Sequence, residues 1–183
     1  MNDLARSFVT IKQMLTDRGM DTSMLDAISE EELYTMANTN KVFVIHVSDK
    51  FKLVYYLNSK FKITELTKKF DIEDDVLIVF KEKINNLNLK NLKVLNPHVE
   101  VFLMREMQYN LSRHSLVPKH EILKDDGEVE GLLSTYQLKR NQMPIIQKAD
   151  PMARYLGVKP GDIVKITRSS PSAGEAILYR YCV

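Results

Sequence analysis

The residues able to do acid–base, metal or nucleophilic chemistry are few and scattered. The four histidines are His46, His98, His114 and His120. None stands in an HExxH spacing, which would set two imidazoles around a zinc ion on one helix face. His114 and His120 have no neighbouring cysteine, and the nearest acid is Glu121, just beyond them. The single cysteine, Cys182, cannot form an internal disulfide or build a zinc or iron–sulfur site alone. No GxxxxGK[ST] loop is present to cradle phosphates. The expectation is therefore no catalytic residue, no cofactor and no metal. An acidic run, Asp71, Glu73, Asp74 and Asp75, either holds a divalent cation or forms a solvated turn. A small α/β nuclease needs an acid, a strand and then Glu-x-Lys on the next strand, so that metal and lysine flank one phosphate. Here Val76–Phe80 holds no acid and runs into Lys81-Glu82-Lys83, so the pattern is missing from the obvious place. What remains are placed cations, Lys81 and Lys83, beside Asn85 and Asn86 at the mouth of that segment. Such residues meet phosphates as sequence-independent contacts, or simply solubilise the start of a helix.

The scale of the charge limits what these cations do. The chain has 183 residues, with 26 lysines and arginines against 24 aspartates and glutamates, a net +2. That balance excludes a protein that wraps nucleic acid by charge alone. At 44% hydrophobic and 27% charged the composition is that of a globular chain, long enough for one large domain or two small ones. No apolar stretch approaches the ~20 residues of a membrane helix, so no membrane partner is expected. Met1–Thr10 lacks the apolar run of a signal peptide, and a lone thiol suits a reducing compartment.

The elements that position these residues begin with a helix. Leu4, Phe8, Ile11 and Leu15 recur at helical spacing, and Gly19 is placed to cap the C-terminus. Ser29 with Glu32 is a capping box for a second helix, with Leu33 and Met36 or Ala37 facing inward. Val42–Val47, Leu53–Leu57 and Val76–Phe80 read as strands, the last buried on both faces. Thr64–Phe70 and Lys81–Leu92 read as helices, and Val99–Leu111 is ambiguous between strand and helix. The first part is thus α/β. Beyond Arg113, Pro118 fits an edge strand or an extended connection, and Asp125–Leu138 reads as a helix. Pro144 marks a break into Ile145–Gln147. Asp150-Pro151 starts a short helix that Gly157 ends. Ile163–Thr167 and Ala176–Val183 read as strands joined through a turn at Pro171–Gly174, with Ile177, Tyr179, Tyr181 and Val183 on one face. This half is a compact α+β unit ending in a β-hairpin.

The run LVPKHEIL at Leu116–Leu123 is followed by LLSTYQLKRNQMPIIQKADPMARYLGVKPGDIVKITR at Leu132–Arg168 and by the closing SSPSAGEAILYRYCV. Together they closely resemble the C-terminal domain of the fifth subunit shared by eukaryotic RNA polymerases I, II and III, and the small archaeal RNA polymerase subunit that is similar to the same domain. The resemblance spans Arg113–Val183, 71 residues, and its DP-x-ARYLG core with the following K-x-G turn is specific. The first half resembles the jaw domain of the eukaryotic subunit more weakly, through the opening helix up to Asp17-Arg18-Gly19 and the three strands. It departs from the family pattern at Ala5, where an aromatic is common, and in a shortened Met20–Lys41. It departs again at Glu82–Asn86, which replaces a threonine-proline-serine turn and puts the family's downstream-DNA contact in doubt, leaving Lys81 and Lys83 to substitute.

The resemblance implies a non-catalytic polymerase subunit: residues 1–112 a jaw domain beside downstream duplex DNA, residues 113–183 an assembly domain docking on the largest subunit. The other polymerase subunits would be further partners, and the location the nucleus for a cellular protein, or the virion or a cytoplasmic viral factory for a viral one. Lys81, Lys83, Asn85 and Asn86 would then be DNA-proximal. Tyr136, Pro151, Arg154, Tyr155, Tyr179 and Arg180 would be partner-binding, since aromatics and arginines are enriched at interface centres; Tyr155 and Tyr179 are equally well placed to be core. The competing reading is a free-standing nucleic-acid-binding adaptor or a degenerate nuclease built on the α/β half. Residues 1–112 carry 15 basic and 16 acidic groups, net −1, and residues 113–183 carry 11 and 8, net +3.

Overall fold

A computed structural model describes residues 3–71, 73–170 and 174–183. The chain forms two compact units, Met1–Tyr109 and Asn110–Val183.

The first unit is built on a four-stranded sheet of order β1-β2-β3-β4: β1 (Val42–His46), β2 (Phe51–Tyr56), β3 (Asp75–Phe80) and β4 (Val99–Leu103). β1 and β2 form an antiparallel hairpin, whereas β2, β3 and β4 run parallel. Parallel neighbours need crossovers, and the connections carry short helices: α4 (Ile63–Leu66) between β2 and β3, α5 (Asn86–Leu95) between β3 and β4. One face of the sheet gathers Val42, Val54, Tyr56, Val76, Ile78, Phe80 and Val99 around Leu66 of α4 and Leu92 of α5. The strand alternation sends Phe43, Tyr55, Leu77, Val79 and Phe102 to the opposite face, all buried. That double burial is why β3 is an unbroken apolar run.

Helix α1 (Asp3–Asp17) buries its stripe of Leu4, Phe8, Ile11 and Leu15 as the spacing predicts. Ser7 lies 3.2 Å from the hydroxyl of the fully buried Tyr55, a contact that helps satisfy an O–H shut off from water. Burial drives the Tyr55 phenol well above its ordinary range. At the end of α1, Arg18 grips Glu100 of β4 with bonds of 2.7 and 3.1 Å. α2 (Ser23–Asp26) was not legible in the sequence; α3 (Glu30–Thr39) has the expected capping box at Ser29 and Glu32.

Two helix boundaries differ from the sequence reading. The segment expected to be helical from Lys81 begins at Asn86, because the Asn85 side chain accepts the Leu87 N–H and caps the helix there. Thr64–Phe70 is helical only over Ile63–Leu66 and then turns. The ambiguous Val99–Leu111 resolves into β4 and a 3-10 turn at Met104–Met107, and Phe102 fits a strand because both faces are covered.

The second unit is a four-stranded sheet of order β5-β7-β8-β6: β5 (Lys119–Leu123), β6 (Ile145–Ile146), β7 (Ile163–Ser170) and β8 (Gly174–Cys182). β7 and β8 are antiparallel, and of the turn expected at Pro171–Gly174 the residues 171–173 lie outside those described. α6 (Asp126–Tyr136) packs Val129, Leu132 and Leu133 with Ile163, Tyr179 and Tyr181 on one sheet face. α7 (Pro151–Leu156) packs Ala153 with Ile146, Val164, Ile166 and Cys182 on the other. Asp150 accepts the N–H groups of Met152 and Ala153, Pro151 occupies the first turn, and Gly157 at φ 72° closes the helix in the left-handed region. Cys182 is 1% exposed, and burial is the main force raising its thiol pKa.

Candidate functional site

The partner-binding residues read from the sequence separate onto two faces of the second unit and its core. Tyr136, at the end of α6, is 60% exposed and its ring lies 6.4 Å from that of Tyr179 at a 56° tilt. Tyr179 is half-buried on the α6 side of β8. Ile177 shares that face two residues back, and Ile145 joins it through its pairing with Tyr181. Both isoleucines are about half exposed, at 47% and 54%. The sequence reading set Ile177 on this face with Tyr179, but Ile145 escaped it, because nothing in a short run such as Pro144-Ile145-Ile146 says which side chain the sheet covers. Together the four present an aromatic–aliphatic surface of the kind that fills interface centres.

Pro151, Arg154 and Arg180 belong to the opposite side. Alternation along β8 puts Arg180 on the α7 face, where it is exposed and its guanidinium donates to the Ile145 carbonyl at 3.2 Å. Pro151 is exposed at the first turn of α7, and Arg154 is half-buried. Tyr155 takes the second of the two places open to it: at 2% exposure it is core, and its hydroxyl accepts from Ser112 Oγ at 3.3 Å. The tight α7 turn from Asp150 to Gly157 leaves one inward face, and Tyr155 lies on it with Met152.

In the first unit Lys81, Lys83, Asn85 and Asn86 are all exposed on the loop and first turn after β3. Asn85 is occupied as a helix cap. The Lys81 amide donates to the Tyr56 carbonyl at 3.1 Å, which fixes where the loop leaves the sheet. Neither lysine is in an ion pair among the described residues. Because β2, β3 and β4 are parallel, their C-terminal ends share one edge, where connecting loops collect. Lys60, Lys62 and Arg105 sit on those connections, and Lys41 precedes β1 at the same end. The Tyr56 hydroxyl pins the β2–α4 loop by donating to the Lys60 carbonyl and accepting the Lys62 amide, both at 2.9 Å. The sequence reading missed this gathering, since the four segments meet only through the sheet order.

The acidic run lies at the other end of β3. Asp74 Oδ2 accepts from Lys52 Nζ at 2.6 Å and from the Asp71 amide at 2.8 Å. Those bonds, the Lys52 one foremost, hold its carboxyl below the ordinary range. Asn96, 1% exposed, donates to the carbonyls of Asp71 and Asp74 and ties the turn to the entry of β4. Asp75 stands 3.5 Å from His98 instead. The two carboxylates are thus committed to different structural partners. No cluster of three metal-ligating side chains occurs among the described residues.

Comparison with known proteins covers both units. The family model for "RNA polymerase Rpb5, C-terminal domain" matches residues 109–182. "DNA-directed RNA polymerases I, II, and III subunit rpabc1" of Dictyostelium discoideum is 31% identical over 195 aligned positions, taking in 100% of this chain and 98% of the relative. "DNA-directed RNA polymerases I, II, and III subunit RPABC1" of Caenorhabditis elegans is 45% identical over 85 positions, 46% of this chain and 40% of that protein. "DNA-directed RNA polymerase subunit Rpo5" of Archaeoglobus fulgidus is 49% identical over 77 positions, 42% of this chain and the whole of the archaeal protein.

Proposed function

Since the chain belongs to the family of the subunit shared by DNA-directed RNA polymerases I, II and III, we propose that it acts as a non-catalytic subunit of such a polymerase, with the metal and nucleotide chemistry carried by the largest subunits. The observation that carries this reading is the relative matched along 98% of its length, because it embraces both units in one order. The second unit is the assembly half. It docks on the largest subunit, with Tyr136, Tyr179, Ile145 and Ile177 on one face and Pro151, Arg154 and Arg180 on the other as the residues offered to neighbours. In a cell with a nucleus the complex works there; a virus-encoded copy would serve in a viral factory or virion.

The first unit forms part of the jaw beside the entering duplex. Lys81 and Lys83 lead the cations at the C-terminal edge of its parallel strands, and their exposure lets them meet phosphates as positioning contacts. A carboxylate as fully engaged as Asp74 speaks for a structural turn over a degenerate nuclease site.

Tagged purification of this chain is expected to recover the two largest polymerase subunits in equal amounts. Recovery as a free monomer under conditions that keep the polymerase intact would overturn the assignment.

A further inference from the structure

Helix α5 seats on its sheet through a single fully buried side chain, Leu92, while exposing three aliphatics: Leu87 at 63%, Val94 at 83% and Leu95 at 40%. An amphipathic helix ordinarily does the reverse. Leu87 and Val94 are seven residues apart, two turns on the same side, about 10.5 Å along the axis. Lys90 lies between them and Lys93 beside them, both exposed and neither in an ion pair among the described residues. From Lys83 to Val99 the chain has no acidic residue, in a unit whose overall charge is slightly negative. The outer face of α5 is therefore an apolar ridge set in a local excess of positive charge.

We infer that this face is a docking site for a short acidic amphipathic segment of another protein. Apolar anchors on the partner would seat against Leu87, Val94 and Leu95 while its carboxylates meet Lys90 and Lys93, the helix-on-helix mode of peptide recognition. Charge decides the sign of the partner, and the exposed aliphatics decide its class. A duplex backbone offers phosphates to the lysines but nothing apolar to Val94. The proposal goes beyond the polymerase role, since it concerns a surface that neither the docking half nor the loop lysines use.

The test titrates the full-length chain into a fluorescent peptide whose leucines, spaced three and four apart, alternate with glutamates. The control peptide has lysine in place of each glutamate. Saturable binding of the glutamate peptide alone is expected. Lys90→Glu with Lys93→Glu should weaken it about thirtyfold, the sum of two exposed ion pairs at the upper end of their range, and should admit the lysine peptide. Val94→Ser should weaken binding while leaving the thermal midpoint in place, which separates contact from folding. Equal binding of both peptides, or none, overturns the inference. So does charge reversal that abolishes duplex binding but spares the glutamate peptide, which would make the face a nucleic-acid surface. Self-association that vanishes in Val94→Ser would reassign it to a second copy of this chain.

Discussion

Two tyrosines of the second unit have the same side chain and opposite employment. Tyr155 is sealed in the core and Tyr136 stands at the surface. Tyr155→Ala should cost about 3–5 kcal/mol of stability, the range for emptying a buried aromatic site. Tyr136→Ala should stay within ~0.5 kcal/mol in the free chain, yet weaken docking by at least ~1 kcal/mol if its ring is desolvated there. Denaturant unfolding of the free chain and assembly at limiting partner concentration separate the two. The sequence left Tyr155 open between interface and core and Tyr136 at the interface, because helix spacing alone does not say what the fold places opposite. Asp74 makes a residue-scale claim about pH. Its carboxyl titrates below the ordinary 3.8 because Lys52 and the Asp71 amide favour the charged form. Its contribution to stability is therefore fully present above that ordinary value and fades as pH falls from there through the lowered one. Asp74→Asn should cost roughly 1–3 kcal/mol at neutral pH, and the gap from wild type should narrow below about pH 3.8. A constant gap down to pH 2 would show that the charge is not what matters.

The elements were legible where a signal is local. The stripe of α1, the capping box of α3 and the Asp150-Pro151 start of α7 each declare themselves within a few residues, and each stands in the structure. Legibility failed where a single side chain competes with a longer pattern. Leucines spaced through Lys81–Leu92 suggest one helix, but the Asn85 cap takes the Leu87 amide and leaves Lys81–Ile84 as loop. That difference alters the site, since it frees Lys81 and Lys83 from a helix face and puts them on the strand-end edge with Lys60, Lys62 and Arg105. If those two lysines each neutralise a phosphate, changing both to alanine should lower the salt slope of downstream-DNA engagement in the assembled polymerase by roughly 2. An unchanged slope would remove them as contacts. Strand order itself was out of reach, because parallel pairing of β3 with β2 and with β4 spans helices and leaves no turn signal to read.

At the scale of the molecule the two units differ in the way they are closed. The first draws β4 and the end of α1 together through Arg18 and Glu100, 82 residues apart, while the second gathers its sheet around the β7–β8 hairpin. The archaeal relative is matched along its whole length by 42% of this chain, a share close to that of the second unit. Residues 110–183 alone should therefore unfold in one cooperative transition; a fragment with helical signal but no sharp melt would show that it needs the rest of the chain. β8, the last strand of the chain, lies inside its sheet between β7 and β6. Cys182 is the chain's only thiol, it is sealed under α7, and burial suppresses its ionisation. A thiol reagent can reach it only when β8 parts from its neighbours, so modification of the unaltered protein keeps time for the opening of the second unit alone. Labelling should be slow in the free chain and markedly slower once that unit is held by its polymerase. Equal rates in both would mean that docking leaves the strand as free to open as before.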